Sequence, residues 1–394
     1  MTVSTPSVLF YVQHLLGIGH LARASRVARA LIARGFRVTL VTGGLPVSGF
    51  PGPDIPHIAL PPIAVSDGAF AGLVTASGEA ADAGYLDARK NQLLAAYHSI
   101  KPDIVVIEAF PFGRRQVRFE LLPLLDAIDA TLPRPLVVTS LRDILQRRSK
   151  PGRDEETVAL IRRAFDLVLV HGDPSFAALH DSFALADQIA DRVAYSGLVC
   201  PPAPEGSAER FDVIVSAGGG AAGRQLVTAA VGAACLLQDL PRWCIITGPN
   251  LPQPEYETLA KNLPTNVQLE RFRPDLARLM TGTRLSVSQA GYNTVADILM
   301  AGCHALLVPY AADGETEQTD RATRLQGLGR VGVITEAGLN AESMAAAILR
   351  EITRTLPAQA LQINTNGAAH SAEILWNLLQ RHSADHSTLL PHQS

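Results

Sequence analysis

The chain has 394 residues, and with 47% hydrophobic and 18% charged residues it carries enough apolar surface for folding. This length is too great for one ordinary core and predicts two domains. A formal net charge of −3 and the lack of a dense basic run exclude nucleic acid as an expected partner.

The cysteines show no metal-binding or disulfide pattern. Cys200, Cys235, Cys244 and Cys303 lack Cys-x-x-Cys spacing and nearby histidine pairs, so we expect free thiols in a reducing compartment. The N-terminus has no basic region, and no apolar stretch reaches membrane-spanning length. We therefore expect a cytoplasmic protein with no transmembrane segment, and peripheral membrane contact stays open.

The first half opens with the pattern of a strand, a loop and a helix. Val8–Val12 is typical of a buried parallel strand, apolar residues then recur at helical spacing up to Ile32, and Phe36–Thr42 predicts the next strand. The loop, Gly17-Ile-Gly-His20-Leu-Ala-Arg23, lacks the third glycine of a dinucleotide fingerprint. The pattern predicts a Rossmann-like half-domain.

A histidine stands at the start of this first helix. The positive end of a helix disfavours a protonated imidazole, so we predict a lowered pKa for His20. A neutral imidazole can accept a proton near neutral pH, as a general base must. Simple capping and packing is the alternative for His20. For His14, a ligand contact and a structural role both stay open.

Polar residues also follow a later strand of this half. Ile104–Ile107 predicts a strand, and Glu108 stands at its carboxyl end, the functional edge of an α/β sheet. Glu108 could orient His20, bind an acceptor hydroxyl, or pair with Arg114 or Arg115. Before this strand, the Gly- and Pro-rich segment Pro46–Ala83 predicts a long irregular excursion above the sheet.

A linker separates the two halves. Residues 200–209 contain three prolines, a glycine and a serine, which predicts a boundary between a first domain at 1–199 and a second at 210–370. The second half then opens with a strand, Asp212–Ser216, the loop Ala217–Arg224 and a helix at Leu226–Leu237. The four glycines of this loop let the backbone approach an anion at a helix N-terminus. A tight turn with a surface arginine is the alternative.

A second loop of the same kind follows further along. Arg284–Val287 predicts a strand, Ser288–Thr294 a loop, Val295–Ala301 a helix and Ala305–Val308 the next strand. The acidic loop Ala311–Gln318 then leaves the same edge. An anion seat beside polar side chains indicates a nucleotide-sugar site, and an ordinary turn with a solvated acidic loop is the alternative.

The run Ser288-Gln-Ala-Gly-Tyr-Asn-Thr-Val-Ala-Asp297, followed by Glu317-Gln318, resembles the donor signature of GT-B glycosyltransferases. It is most similar to family 28, which contains the peptidoglycan N-acetylglucosaminyltransferase. Ala217–Arg224 resembles a second motif of that family, with Gly220 in place of its serine. The resemblance implies an α/β GT-B fold, two Rossmann-like domains whose parallel sheets face a central cleft. It also implies a helix within 371–394 that returns to the first domain before a frayed tail.

The resemblance also implies roles for individual residues. Asp297 would hold the ribose, Glu317 and Gln318 the sugar, and Phe272 with Arg273 the base. Because Glu317 departs from the usual Gln or Asp, the sugar stays undetermined. The other donor-binding residues would be Gly218, Gly219, Gly220, Arg224, Ser288, Ala290, Gly291, Asn293 and Thr294. The acceptor side would comprise His20 and Glu108 as catalytic residues, with His14, Gly17, Gly19 and Arg114.

These roles imply an inverting hexosyltransferase that uses a nucleotide-diphospho sugar, expected to be UDP-linked. His20 would deprotonate a hydroxyl of a small-molecule, lipid-linked or natural-product acceptor. Backbone N–H groups and Arg224 would stabilise the leaving diphosphate, so we expect neither a metal nor a cofactor. The Gly-x-Gly-His-x-x-Arg run also resembles a nucleotide-sugar hydrolase of the pseudaminic acid pathway. Hydrolysis, or sugar-nucleotide binding without turnover, are the alternative functions.

Overall fold

The computed structural model describes residues 5–15, 17–65, 72–147, 150–218, 223–248, 251–356 and 363–388. The chain divides into two compact units, the first formed by residues 1–199 and 363–394 and the second by residues 200–362. Each unit contains its own parallel sheet and its own hydrophobic core.

The first unit is built on a parallel sheet. Its strands are β1 Ser7–Val12, β2 Arg37–Thr42, β3 His57–Ala59, β4 Ala64–Val65, β5 Leu73–Val74, β6 Ile104–Glu108, β7 Leu136–Arg142, β8 Leu167–His171 and β9 Val193–Tyr195. The described strands form a seven-stranded sheet in the order β3-β2-β1-β6-β7-β8-β9, while β4 and β5 pair separately and antiparallel. β1 and β6, next to each other inside this sheet, are buried along their whole length, so they appear in the sequence as continuous apolar runs.

Helices cover both faces of this sheet. They are α1 Gly19–Arg34, α2 Ala83–Ile100, α3 Arg118–Asp129 and α4 Arg153–Ala164. Successive residues of β1 point to opposite faces, so Leu9 and Tyr11 pack with the core below α2 and α3, while Val8 and Phe10 pack with the core below α1. α1 ends where Gly35 adopts φ 107°, a left-handed conformation that glycine reaches without a steric cost.

The second unit repeats the same architecture. Its strands are β10 Phe211–Ser216, β11 Trp243–Ile246, β12 Val267–Glu270, β13 Thr283–Ser288, β14 Ala305–Leu307 and β15 Gly332–Val333, in the order β12-β11-β10-β13-β14-β15. Its helices are α5 Arg224–Leu236, α6 Gln253–Lys261, α7 Leu276–Met280, α8 Tyr292–Ala301, α9 Glu317–Gly327 and α10 Ala341–Thr353. All the described strand pairs of this sheet are parallel.

The last helix, α11 Gly367–Thr388, belongs to the first unit. The Leu198 N–H donates to the Asn364 carbonyl at 2.7 Å, and the Gly367 N–H donates to Leu198 at 2.9 Å, which ties the returning chain to the end of the first unit. Residues 363–370 therefore belong to the first unit, whereas the sequence predicts that the chain returns to this unit only from Ser371 onward. Of the helices that the structure describes, none is both long and apolar enough to span a bilayer.

Three segments differ from the sequence predictions. Pro46–Ala83 is not wholly irregular, because β3 adds to the sheet beside β2 in parallel. α8 begins at Tyr292, so Asn293 and Thr294 lie in its first turn rather than in a loop. Glu317 and Gln318 begin α9 rather than end a loop. Short strands and the first turns of helices carry too few residues for a periodic pattern, which is why the sequence did not show them.

A buried ion pair fixes the loops at one end of the first sheet. The guanidinium of Arg89 donates to both carboxylate oxygens of Glu120 at 2.7 and 2.8 Å, and both residues are fully buried. The same guanidinium donates to the Gln13 side chain at 2.6 Å and to the Gly43 carbonyl at 2.8 Å. Because Gln13 and Gly43 follow β1 and β2, this pair holds the loop that leads to α1.

Candidate functional site

Three neighbouring strands of the first sheet end in polar residues. Glu108 closes β6 and lies opposite Ser140 on β7, while Arg142 on β7 lies opposite His171, which closes β8. Parallel strands bring their carboxyl ends to one edge of the sheet, so these side chains meet there. Glu108, Ser140 and His171 are all buried.

His20 joins this group from the first turn of α1. Its Nδ1 lies 2.9 Å from Glu108 Oε1, and its side chain is 16% exposed whereas that of Glu108 is fully buried. An ionised carboxylate only accepts hydrogen bonds, so the proton of a neutral His20 resides on Nδ1 and Nε2 keeps its lone pair. Of the alternatives that the sequence left open for Glu108, the structure shows a contact that orients His20.

Arg23 completes the contact. It lies one turn after His20 on α1, is 2% exposed, and its guanidinium donates to the same Oε1 of Glu108. The two arginines considered as partners of Glu108 make other contacts: Arg115 pairs with Glu156, and the Nε of Arg114 donates to the Gln13 carbonyl at 2.7 Å. Glu108 is thus a buried carboxylate held by a guanidinium and an imidazole.

The electrostatics keep His20 neutral and Glu108 ionised. Burial and the charge of Arg114 together lower the pKa of His20 to about 3, while Glu108 acts in the opposite direction. Burial alone would raise the pKa of Glu108, but Arg23 and His20 hold it well below its ordinary value. The sequence predicted a lowered pKa for His20 from the helix end, whereas burial and Arg114 are its main causes in the structure.

The remaining acceptor-side residues surround the same loop. Gly17 is exposed and Gly19 begins α1. His14 is 6% exposed, and its Nε2 lies 2.8 Å from the Leu45 carbonyl. Burial lowers the pKa of His14, and its contact with Leu45 ties the loop after β1 to the loop after β2.

The glycine loop of the second unit joins β10 to α5. Gly218 has φ +73°, which favours glycine, and a Cβ at Gly223 would lie 2.5 Å from that of Ala217. Gly223 therefore lies directly against Ala217, the residue that follows β10. Gly219 and Gly220 lie outside the described residues. Arg224 is exposed at the start of α5, where it pairs with Glu255.

The second loop, residues 289–291, joins β13 to α8. Ser288 is fully buried at the end of β13, and Gly291 precedes the first turn of α8, which contains Asn293 and Thr294. Asp297 is half-buried one turn further along the same helix. The backbone N–H groups of a helix's first turn have no partners within the helix, so this end of α8 can bind an anion.

Residues from α9 brace this loop. The Gln318 Oε1 accepts the Ala290 N–H at 3.0 Å and the Tyr310 N–H at 3.2 Å, so it links the loop after β13 with the chain after β14. The buried Glu317 accepts from Arg321 at 2.7 Å, and Arg321 also donates to the Ala290 carbonyl at 2.9 Å. The structure thus places both expected sugar-binding residues in contacts that support the loop.

The expected base-binding residues follow β12. The Phe272 side chain is 65% exposed, whereas the Arg273 guanidinium pairs with Glu209 at 2.8 Å and Asp275 at 2.9 Å. The hydrogen bonds to Asp275 and Glu209 raise the pKa of Arg273. Phe272 therefore offers an aromatic face to a ligand, while the side chain of Arg273 is engaged within the second unit.

Comparison with solved structures identifies the class of fold. Solved structures of glycosyltransferases share the fold over nearly the whole chain. The calicheamicin glycosyltransferase CalG4 matches with a TM-score of 0.61 and 17% identity, covering 100% of both chains. MurG from Acinetobacter baumannii matches with a TM-score of 0.61 and 16% identity over 94% of this chain and 100% of its own. The predicted GT-B fold, with a parallel α/β sheet in each unit, is confirmed.

The family resemblance predicted from the sequence is confirmed as well. Residues 213–374 match the glycosyltransferase family 28 C-terminal domain. A UDP-N-acetylglucosamine--N-acetylmuramyl-(pentapeptide) pyrophosphoryl-undecaprenol N-acetylglucosamine transferase of Agrobacterium fabrum is 29% identical over 46% of this chain and 49% of its own. The enzyme of the same name from Phenylobacterium zucineum is 29% identical over 85% of this chain and 87% of its own. The chain thus spans about half the length of the first of these relatives.

Sequence reasoning missed part of the first-unit site. It gave no role to Arg23, Ser140 or His171. Two signals were present: Arg23 follows His20 by three residues, a spacing that shares a helix face, and Ser140 and His171 stand at or near the ends of apolar runs. The sequence could not show that these ends would meet around a single carboxylate.

Proposed function

We propose that this chain transfers a sugar from a UDP-linked donor to an acceptor hydroxyl with inversion at the anomeric carbon. The observation that carries the proposal is the contact of His20 Nδ1 with the ionised Glu108, which leaves Nε2 as a base. Nε2 takes the hydroxyl proton, the acceptor oxygen bonds to the anomeric carbon, and the bond to the diphosphate breaks. The diphosphate leaves with the electron pair, and Glu108 stabilises the imidazolium.

The second unit supports the donor half of this proposal. Its family 28 domain includes the loops before α5 and α8, whose N–H groups would receive the charge of the leaving diphosphate. Phe272 is 65% exposed and would stack on the base, and the half-buried Asp297 would accept the ribose hydroxyls. UDP is the nucleotide named for the relatives from Agrobacterium fabrum and Phenylobacterium zucineum.

Charge at the first-unit site favours an anionic acceptor. The guanidinium groups of Arg23 and Arg114 both act on His20, and burial, together with the charge of Arg142, lowers the pKa of Arg114. One carboxylate, Glu108, offsets this charge at His20. A phosphate or carboxylate near the reacting hydroxyl of the acceptor would be attracted by the guanidinium groups beside His20. The acceptor in the relatives' name is a pyrophosphoryl-undecaprenol and so carries phosphate, which makes a lipid-linked acceptor the first to test.

The test combines a ligand screen with product analysis. Thermal shifts with nucleotide diphosphates and their sugars identify the donor, and UDP and its sugars are expected to raise the Tm most. Reactions with and without a pyrophosphoryl-linked acceptor then separate the functions. A new glycoside in the presence of acceptor supports transfer. Free sugar at the same rate without acceptor would establish hydrolysis, and binding with no turnover on any acceptor would indicate a binding protein.

A further inference from the structure

A chain of buried hydrogen bonds continues from Glu108 away from His20. The Ser140 hydroxyl lies 2.5 Å from Glu108 Oε2, and the same hydroxyl lies 2.8 Å from His171 Nε2. On the other side of the imidazole, His171 Nδ1 lies 3.0 Å from the Ser196 hydroxyl. Ser140 is 1% exposed, and His171 and Ser196 are fully buried. This buried chain, Ser196–His171–Ser140, leads to the carboxylate oxygen that His20 does not use.

The direction of each bond in the buried chain follows from the chemistry of its members. Glu108 is ionised and only accepts, so the Ser140 hydroxyl donates to Oε2. The Ser140 oxygen then accepts from His171 Nε2–H, which leaves His171 Nδ1 as an acceptor that faces the hydroxyls of Ser196 at 3.0 Å and Ser371 at 3.4 Å. Burial lowers the pKa of His171 to about 3, so His171 is neutral and carries the single proton that this order requires. The donors of Ser140 and His171 Nε2 therefore both point towards Glu108.

We infer that Ser140 and His171 are positioning residues that orient the Glu108 carboxylate and thereby fix the tautomer of His20. The inference deepens the proposed function and rests on it for its effect on turnover, but the tautomer exists independently of any substrate. With Oε2 held by Ser140, Oε1 is turned to His20 Nδ1 and Arg23. Without that hydroxyl the carboxylate can rotate and becomes more basic, because a hydrogen bond to the charged form has been lost.

The first test reads the tautomer directly. In ¹⁵N-labelled full-length protein, imidazole nitrogen shifts distinguish a protonated Nδ1 from a protonated Nε2, and a His20→Gln variant assigns the His20 signals. Unaltered protein is expected to show His20 with the proton on Nδ1. Ser140→Ala is expected to give a mixture of the two tautomers. An unchanged Nδ1–H signal in Ser140→Ala would overturn the inference, and this outcome does not depend on any enzymatic activity.

The chain offers a matched control next to Ser140. Thr139 is fully buried on the same strand and faces the opposite side of the sheet, and its hydroxyl has no hydrogen-bond partner among the described residues. Thr139→Val therefore removes a buried hydroxyl of β7 without touching the carboxylate. If Thr139→Val changes the His20 signals as much as Ser140→Ala does, the effect is general disturbance of β7 and the inference fails.

A second test uses turnover and rescue. Ser140→Ala is expected to lower kcat about tenfold with little change in the KM for the donor, and to move the acid limb of the rate profile to higher pH. Because the pKa of Glu108 rises, the His20–Glu108 pair takes up a proton at a higher pH than in the unaltered protein. Activity is therefore lost at a higher pH. His171→Gln keeps an N–H donor near the position of Nε2 and is expected to retain most activity, whereas His171→Leu is not. Equal loss in both His171 variants at equal Tm would count against the positioning role.

Discussion

His20 and Glu108 are 88 positions apart in the chain, yet His20 Nδ1 lies 2.9 Å from Glu108 Oε1. The contact forms because the loop after β1 leads into α1 while β6 lies beside β1 in the sheet. A buried carboxylate thus meets a partly exposed imidazole without a long loop or a flexible side chain. This arrangement is suited to a base that must hold one tautomer.

Replacement of His20 should separate chemistry from donor binding. In His20→Ala, turnover is expected to fall by roughly 100-fold or more, the usual contribution of a general base. Donor affinity, measured by calorimetry, should stay within about twofold because the donor residues belong to the second unit. His98→Ala, an exposed histidine of α2, is the control. If His20→Ala lost donor affinity and thermal stability together, His20 would be a structural residue.

The charge of Arg114 should set the acid limit of activity. Arg114 lowers the pKa of His20, so Arg114→Met removes a positive charge and raises that pKa. The acid limb of kcat/KM is therefore expected to move to higher pH, and the KM for an anionic acceptor should increase. Arg115→Met is the matched control, since Arg115 pairs with Glu156 instead. A shift towards lower pH in Arg114→Met would contradict the assigned sign.

Asp297 tests the donor assignment. Asp297→Ala should weaken UDP binding by about 1.5–3 kcal/mol, since the ribose hydroxyls would lose a charged hydrogen-bond partner. Asp239→Ala removes an exposed carboxylate from the loop after α5 and should leave binding unchanged. Calorimetry on folded variants gives the comparison. Unchanged UDP affinity in Asp297→Ala would mean that another group holds the ribose.

His20 and His171, whose lowered pKa values keep both imidazoles neutral, should make the first unit sensitive to acid. Burial lowers the pKa of His171 to about 3 in the folded state, below its ordinary value of 6.5. Between these values the unfolded chain binds a proton that the folded chain does not, so stability falls as pH falls. The slope for one such histidine is about 1.4 kcal/mol per pH unit. His171→Gln, which does not titrate, should reduce the pH dependence by this amount.

The measurement can be confined to the first unit. The chain contains two tryptophans, Trp243 in the second unit and Trp376 on α11 in the first. In a Trp243→Phe background, fluorescence during urea unfolding at pH 7, 6 and 5 reports the unit that contains His171. His98→Gln serves as the exposed control. If His171→Gln has the same slope as the parent protein, the imidazole is not neutral in the folded state.

Much of the fold could be predicted because buried parallel strands leave continuous apolar runs between glycine and proline residues. The loops before α5 and α8 could be located because each follows such an apolar run and precedes a helical pattern. The three-residue strand β3 and the two-residue strand β15 could not be predicted, because such short segments show no periodic pattern of apolar residues. Of the site, His20 and Glu108 were identified singly, since each stands at the end of an element. Their joint contact with Arg23 depends on sheet order, which the sequence does not state.

Glu317 is where the family resemblance and the structure suggest different roles. The resemblance implies a contact with the sugar, but Glu317 is 4% exposed and accepts from Arg321, which also holds the Ala290 carbonyl. We expect Glu317 to act through the loop. Removing its carboxylate breaks the buried Glu317–Arg321 ion pair, and breaking such a pair by removing one member typically costs about 3–5 kcal/mol.

Affinities for UDP and for a UDP-sugar separate these two roles. If Glu317 contacts the sugar, Glu317→Gln lowers the affinity for the UDP-sugar and leaves the affinity for UDP unchanged. If Glu317 supports the loop, as we expect, Glu317→Gln lowers both affinities by the same factor. The paired variant Glu317→Leu/Arg321→Met supplies the stability control, because replacing a whole buried ion pair by apolar residues is often nearly neutral. Its Tm should recover above that of Glu317→Gln, while UDP binding should stay weak because the bond from Arg321 to Ala290 is absent. If Glu317→Gln lowers only the affinity for the UDP-sugar, Glu317 is instead a direct ligand of the sugar.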